Sequence, residues 1–215
     1  RCYKTEVNLS KPIEGVSEKI ETCAKKEFLD KGYVDASLRT IAAEAGTTTG
    51  SIYSRYCGKE GLFSALVEPA AKEFTEIFVS VQEKFQKIEP EKQADYLDEY
   101  AENGMMLMLD YMYDHFEIFQ LLVDGAYGTK FQNFVEHLVE IETEYTYRFM
   151  DATGIQMKEG ERITKNFMHI MNKALFESFF EVVRHNMSKE EARRYIYMLE
   201  KYHSAGWDVI YSNCY

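Results

Sequence analysis

Apolar residues along this chain recur every three to four positions, a spacing that predicts amphipathic helices over most of its length. No segment alternates apolar and polar residues in the manner of a half-buried strand, and only three prolines interrupt the 215 residues. We therefore predict an all-α fold of about nine helices. They span about 14–31, 38–45, 49–55, 59–88, a segment from Pro90, the stretch 104–124 with a division near Asp114 and His115, a segment from Phe131 to about Asp151, 163–182, and a last segment from Ser188 to about Ile210.

Short polar side chains mark where several of these helices begin. Ser37 and Thr48 are favourable N-caps for the second and third helices, because a hydroxyl oxygen accepts a hydrogen bond from an unpaired N–H of the first turn. The spacing Ser188-x-x-Glu191 predicts a capping box at the start of the last helix. Pro69 lies inside the fourth helix, where its missing N–H predicts a bend without a break.

Residues 37–56 form two short predicted helices joined by a turn at Gly46, which is the pattern of a helix-turn-helix. In that motif the second helix enters the DNA major groove. Its first residues, 47–51, are small and rich in hydroxyls, so its free N–H groups can approach a phosphate closely. Arg55 offers a charged donor to guanine or phosphate, and Tyr53 offers a hydroxyl donor to phosphate.

The distribution of charge indicates which part of the chain can face DNA. The net charge is −11, but residues 1–67 carry ten basic and nine acidic residues, whereas residues 68–215 carry 15 basic and 27 acidic ones. An acidic body is repelled by the phosphate backbone. The near-neutral N-terminal third is therefore the part predicted to bind nucleic acid.

A succession of short motifs between residues 24 and 67 resembles the DNA-binding region of the tetracycline-repressor (TetR) family. The matching motifs are Phe28-x-x-x-Gly32-Tyr33, Ile41-Ala42 behind the Ser37 cap, the turn Ala45-Gly46, Gly50-x-Ile52-Tyr53 with Tyr56 three residues later, and Lys59-Glu60-x-Leu62. The resemblance covers about a fifth of the chain. Two departures occur: Thr47 stands where the family usually has Val or Ile, and Cys57-Gly58 replaces a more usual polar pair.

The resemblance implies a two-domain architecture. We place a three-helix DNA-binding domain at 14–58 and a larger helical ligand-binding and dimerisation domain at 59–215. The family pattern further implies a cytoplasmic, ligand-responsive bacterial repressor that binds a palindromic operator as a homodimer through its last two helices. The expected partners are double-stranded operator DNA, a second copy of the chain and an unidentified small-molecule effector. No cofactor and no metal ion are expected.

Three sets of candidate site residues follow. The expected DNA contacts are Ser37, Arg39, Thr47, Thr48, Thr49, Gly50, Ser51, Tyr53, Ser54, Arg55 and Lys59. The expected ligand pocket draws on aromatic residues and methionines, which form adaptable apolar sites: Tyr96, Tyr100, Met105, Met108, Met112, Phe116, Phe119, Tyr127 and Phe131. The expected dimer contacts lie on the apolar seams of the last two helices: Phe167, Ile170, Ala174, Phe179, Ile196, Leu199, Tyr202, Gly206, Val209 and Ile210.

A helical metal-binding enzyme is one alternative. A di-iron helix bundle needs two Glu-x-x-His pairs and further inward glutamates, and among the histidines only Glu200-x-x-His203 has that spacing. Glu136, Glu140 and Glu144 share one helix face, but a solvated stripe explains them. No nucleophile motif, phosphate-binding loop or dinucleotide-binding turn occurs in the sequence. The enzyme alternative therefore depends on a metal that the sequence gives little reason to expect.

A helical interaction protein that has lost DNA binding is the second alternative, and the departures at Thr47 and Cys57 leave room for it. A membrane protein is not expected, because the apolar run 105–109 is far too short to span a bilayer. The four cysteines are scattered without a CxxC pair, which is typical of reduced thiols in the cytoplasm.

Overall fold

A computed structural model of the protein describes residues 15–154 and 163–212. These residues form nine α-helices and one π-helical turn, and no strand occurs among them, which confirms the all-α prediction. The elements are α1 (Val16–Asp35), α2 (Leu38–Glu44), α3 (Thr49–Tyr56), α4 (Lys59–Gln86), α5 (Pro90–Asp114), α6 (Phe116–Gln120), the π-helical turn (Leu121–Gly125), α7 (Phe134–Thr153), α8 (Lys165–Arg184) and α9 (Lys189–Ser212). The predicted start of the first domain at residue 14 and the predicted end of the second domain at residue 215 lie outside the described residues.

The described residues divide into two compact units. The first unit contains residues 15–70 together with Glu117–Gln132, and the second contains Ala71–Phe116 together with the residues from Asn133 onward. The first unit thus includes a segment that is remote from the helix-turn-helix in sequence. The domain boundary between 58 and 59 stays a prediction.

The predicted helix caps are present. The Ser37 hydroxyl accepts a hydrogen bond from the Thr40 N–H at 3.4 Å, and the Thr48 hydroxyl accepts one from the Ser51 N–H at 3.2 Å. The box at the start of α9 closes in both directions, because the Glu191 N–H donates to the Ser188 hydroxyl at 3.3 Å and the Ser188 N–H donates to the Glu191 carboxylate at 3.0 Å. Local side-chain chemistry therefore sets these three starts.

Several helix limits differ from the prediction by one or more residues, and three of the differences have a local cause or mark. Helix α1 continues to Asp35, although Gly32 interrupts its regular geometry with a φ of 69°. Helix α7 begins at Phe134 instead of Phe131, because the Thr129 hydroxyl accepts the Phe131 N–H at 3.0 Å and holds the preceding residues in a turn. Helix α8 begins at 165 because the Thr164 hydroxyl accepts the N–H of the third helical residue.

An aromatic cluster forms the core of the first unit. Phe63 is fully buried, and its ring packs edge-on against Phe28 at a centroid distance of 5.1 Å and against Tyr33 at 5.4 Å. Phe131 joins the cluster at 6.3 Å from Phe63, so the segment 117–132 contributes to this core. Ile20, Ile41 and Ile52 of the same unit are also fully buried.

The core of the second unit lies between α4 and the helices α5, α7 and α8. Phe74 of α4 packs at 6.0 Å from both Phe134 and Phe180. Gly104 allows α5 to approach α4 closely, since a methyl group there would lie 2.8 Å from a methyl carbon of Val81. Helix α4 runs through Pro69 without a break, as predicted, while the bend expected at Pro69 stays a prediction.

Candidate DNA-binding surface and ligand cavity

Helix α3 exposes the side chains that were predicted to read DNA. Tyr53, Ser54 and Arg55 are exposed, whereas Ile52 is fully buried and fixes the helix to the core of the first unit. Thr48 and Gly50 are exposed at the N-terminal end of α3. The predicted contact residues of α3 therefore share an outward face.

Hydrogen bonds hold Arg55 along this face. Its Nη1 donates to the Ser51 hydroxyl at 2.6 Å and to the Ser51 carbonyl at 3.4 Å. The Ser54 hydroxyl donates to the same carbonyl at 3.0 Å. The guanidinium is thus drawn toward the N-terminal turn of α3, where unpaired N–H groups and the helix dipole favour a phosphate. Residues 45–59 contain two cationic side chains and no acidic one.

The end of α3 is anchored by Tyr56. Its hydroxyl donates to a Glu21 carboxylate oxygen at 2.7 Å, and burial, followed by this hydrogen bond, raises the pKa of Tyr56 to about 12. The next residue, Cys57, ends the helix in the left-handed region with a φ of 60°. Such a conformation is usually left to glycine, so this departure from the family pattern also carries an unusual backbone.

A buried glutamate that sequence reasoning missed connects α1 to the helix-turn-helix. Glu27 is 6% exposed and accepts hydrogen bonds from Lys31 Nζ at 2.9 Å and from the Ser37 N–H at 3.0 Å. The hydrogen bond from Lys31 holds the pKa of Glu27 below its usual value. The spacing of Glu27 and Lys31 is the ordinary helical pair spacing, but nothing in the sequence indicates the contact with Ser37.

The remaining members of the predicted DNA-contact set lie in different surroundings. Arg39 is exposed on α2, whereas Ser37, Thr47, Thr49 and Ser51 are half-buried. Lys59 Nζ donates to the Val34 carbonyl at 2.8 Å and lies 4.9 Å from the centre of the Tyr33 ring. Its ammonium group therefore caps the end of α1 in this structure, and its contact with DNA stays a prediction.

The second unit encloses a cavity of about 180 Å³ with walls from α4, α5, α7, α8 and α9. Aromatic side chains supply much of the wall, including Phe85, Tyr100, Tyr145, Phe149 and Trp207. A concave, mostly apolar site with a few polar groups is typical of a binding site for a small organic molecule.

Two glutamates bring carboxyl groups to this cavity. Glu142 accepts a hydrogen bond from Gln82 Nε2 at 2.6 Å, and burial raises the pKa of Glu142 to about 7. Glu200 is only 2% exposed, and burial also raises its pKa. His203 lies in the same wall, and its Nδ1 accepts a hydrogen bond from Trp207 Nε1 at 3.1 Å. The cavity is therefore apolar but not free of titratable groups.

Three residues of the predicted pocket set line this cavity, namely Tyr100, Met105 and Met108. Met112 is fully buried in the core of the second unit, and Tyr96 is exposed on α5. Phe116 also lies outside the cavity wall, and Phe119, Tyr127 and Phe131 belong to the first unit. The contributions of α4, α7, α8 and α9 were not predicted, because periodicity shows that a helix has an apolar face but not what that face encloses.

Replacing Glu142 with glutamine is expected to change how stability depends on pH. A glutamate in the unfolded chain ionises near pH 4.5, whereas the folded carboxyl ionises near pH 7. Between these values the folded state binds the additional proton, so Glu142 lowers the free energy of unfolding as the pH rises through this window. The free energy of unfolding of Glu142→Gln, relative to that of the unmodified protein, should therefore be about 3 kcal/mol higher at about pH 8 than at about pH 4.

Urea unfolding at the two pH values measures this difference. Glu140→Gln is the matched control, since it removes a carboxylate from the same helix at a side chain that is 69% exposed. A stability difference between Glu142→Gln and the unmodified protein that is the same at both pH values would show that the Glu142 carboxyl is not perturbed.

The predicted dimer residues divide between surface and core. Phe167, Ile170 and Ala174 of α8 and Tyr202, Gly206 and Val209 of α9 are exposed. Leu199 and Ile210 are half-buried, and Phe179 and Ile196 are buried within the second unit itself. Met198 and Tyr197 are further exposed apolar residues of α9, outside the predicted set.

Neither a metal cluster nor a membrane span occurs in the described part of the chain. Among residues 15–154 and 163–212, no three side chains of His, Cys, Asp or Glu are grouped so that they could hold a metal ion. No helix of these two ranges combines the length and the apolar character needed to cross a bilayer.

Comparison with known proteins relates this chain to a protein family and to solved structures. Residues 22–66 match the family model of bacterial regulatory proteins of the tetR family. A TetR-like transcriptional regulator from Rhodococcus sp. RHA1 shares 18% identity with the chain, over 92% of this chain and 98% of that one, with a TM-score of 0.59. A search of curated proteins finds no match.

Two solved repressors share the same fold. SmeT, the repressor of the Stenotrophomonas maltophilia multidrug efflux pump SmeDEF, is 18% identical over 88% of this chain and 89% of its own, with a TM-score of 0.59. NalD, the secondary repressor of the MexAB-OprM multidrug efflux pump in Pseudomonas aeruginosa, is 19% identical over 87% and 95%, with a TM-score of 0.53. At these identities the likeness establishes the fold.

An all-α fold that presents an exposed recognition helix from a helix-turn-helix defines a DNA-binding transcriptional regulator. Within this chain, the match to the tetR family of bacterial regulatory proteins falls on residues 22–66, the segment that contains the helix-turn-helix.

Proposed function

We propose that the protein is a ligand-responsive transcriptional repressor of the bacterial cytoplasm that binds a palindromic operator as a homodimer, and that it is not an enzyme. The observation that carries the proposal is the exposed face of α3, which combines hydroxyls, a glycine and Arg55 without any acidic residue. Repression is supported by SmeT and NalD, two repressors that share the fold.

The dimer would place two copies of α3 in successive major grooves, about 34 Å apart along the duplex. Exposed apolar side chains on α8 and α9 support self-association, among them Ile170, Met198 and Tyr202. A Cβ added at Gly206 would meet no atom within 4 Å, so the surface there is open to a partner helix. A two-fold dimer would bury the same patch on both copies.

The cavity of the second unit is the proposed effector site. Residues of α4, such as Phe78, Val81 and Phe85, line this cavity, and the same helix begins three residues after the last residue of α3. An effector that binds better to one position of α4 would shift the population toward that position. We propose that the favoured position separates the two recognition helices and releases the operator.

Replacing Arg55 with alanine tests the DNA-binding proposal. Each copy would lose one charged contact to guanine or phosphate, and operator affinity should fall by about tenfold or more. The dependence of affinity on salt should also become less steep, because fewer counterions are released. Fluorescence anisotropy with the promoter region beside the protein's own gene, at several salt concentrations, measures both quantities.

Arg148→Ala is the matched control. Arg148 is an exposed arginine of α7, paired with Glu144 on its own helix, so its loss changes the net charge equally but leaves α3 intact. Equal losses of affinity for the two variants, or no loss for Arg55→Ala, would contradict the assignment of α3 as the recognition helix.

A further inference from the structure

The cavity of the second unit is acidic as well as aromatic. Asp98, Glu142 and Glu200 line it, and no lysine or arginine occurs among the described residues of its wall. The one histidine there, His203, accepts a hydrogen bond from Trp207 on Nδ1, and burial lowers the pKa of His203. His203 therefore adds little positive charge to the wall, and the cation beside these carboxylates is Lys201, which lies next to Glu200.

Glu200 presents an oxygen to which no group of the described chain donates. Its Oε2 lies 3.1 Å from Lys201 Nζ, which is shared with a Glu102 carboxylate at 3.2 Å. Its Oε1 is buried and accepts no hydrogen bond from the described residues. An unpaired, buried carboxylate oxygen is unfavourable. A ligand that supplies positive charge or a donor at this point would remove the penalty.

Glu142 adds a second enclosed carboxyl group from α7. Gln82 donates to one of its oxygens, and the Thr146 hydroxyl lies 3.4 Å from the other. Both partners are neutral, so neither cancels a negative charge. Burial raises the pKa of both Glu142 and Glu200, and a cation bound between the aromatic walls would favour the ionised form of each.

The aromatic walls suit a cation too. Phe85 packs at 5.6 Å from Tyr100 and at 5.8 Å from Phe149, and the Trp207 ring stacks on Tyr211 at 5.3 Å. The face of an aromatic ring attracts a cation that lies within about 6 Å of its centre. The same rings provide apolar surface for the uncharged part of a ligand.

We infer that this cavity binds a small organic cation with an aromatic or aliphatic body, whose charge is met by the carboxylates of Glu200 and Glu142. The inference rests on the proposed function, because it names the chemical class of the effector. A neutral apolar ligand would leave Glu200 Oε1 unpaired, and an anion would be repelled by the three acidic residues of the wall.

Calorimetric titration of the full-length protein at about pH 8, above the pKa of Glu142, tests the inference. Benzylammonium, benzyltrimethylammonium and tetrabutylammonium are the cationic probes, and benzyl alcohol and benzoate match the first in size without its charge. We expect at least one cation to bind at least about tenfold more tightly than both matched probes. Glu200→Gln and Glu142→Gln should each weaken that binding by about tenfold, whereas Glu140→Gln, at an exposed position, should leave it unchanged.

Thermal unfolding checks that each variant is folded before it is titrated, and the two cavity variants give independent readings. Failure of all three cations, equal affinity for the neutral probe, or an equal loss in Glu140→Gln would overturn the inference. Operator binding by the same samples keeps the two proposals separate. Cation binding without operator binding would refute the proposed repressor function and support the inference that the cavity binds cations. Operator binding without cation binding would support the repressor function and refute the inference.

Discussion

Replacing Phe63 with alanine should lower the free energy of unfolding of the first unit by about 3–5 kcal/mol. Phe63 is fully buried, and three aromatic rings, those of Phe28, Tyr33 and Phe131, surround it. Three large rings, two of them on α1 and one in the segment 117–132, cannot collapse into the space that the phenyl group leaves. A cavity therefore persists in addition to the lost apolar burial. Operator affinity should fall with the fraction of folded recognition helices.

Amide hydrogen exchange in α1, together with operator binding, measures the effect. The control is Tyr127→Ala, which removes an aromatic ring from the same unit at a residue that is 77% exposed, and which should change stability by no more than about 0.5 kcal/mol. If α1 exchanges equally slowly in both variants, the aromatic cluster is not what holds this unit together.

Replacing Tyr202 with glutamate should convert the proposed dimer into monomers and lower operator affinity by about 100-fold or more. Tyr202 is 79% exposed on α9, in the patch that would face its own copy. A two-fold interface repeats every substitution, so two carboxylates would be desolvated without cations to pair them. The monomer itself should stay folded, because the tyrosine ring contributes little to the core of a single chain.

Sedimentation velocity gives the oligomeric state, and anisotropy gives the operator affinity. Tyr127→Glu makes the same chemical change at nearly the same exposure in the first unit, and it should leave the dimer intact. A Tyr202→Glu protein that still sediments as the unmodified protein does would place the interface elsewhere.

Local signals made most of the fold predictable. Helix starts at Leu38, Thr49 and Lys189 follow from a hydroxyl on the residue before each, since capping involves only neighbouring residues. Phe131 shows the limit of this reasoning. It continues the apolar spacing of α7, yet the Thr129 hydroxyl and the positive φ of Gly128 hold it in a turn.

Long-range packing explains what the sequence could not reveal. The bond from Ser37 to Glu27 spans ten residues, and the cavity gathers side chains from five helices. Tyr100, Met105 and Met108 could be proposed from composition, but Glu142 and Glu200 could not, because a glutamate in a helix most often faces water. The exposed face of α3, in contrast, followed directly from motif and spacing.

The segment 117–132 has a consequence for building chimeric regulators. Glu117 pairs with Lys25, Lys130 Nζ lies 2.7 Å from a Glu68 oxygen, and Phe131 packs on Phe63. A chimera that carries only residues up to 70 of this protein would lose the partners of Lys25 and Glu68. It would also expose the side of Phe63 that Phe131 covers. The unit that contains the helix-turn-helix is therefore made of two separate segments, 15–70 and 117–132. A working chimera needs both segments from the same parent.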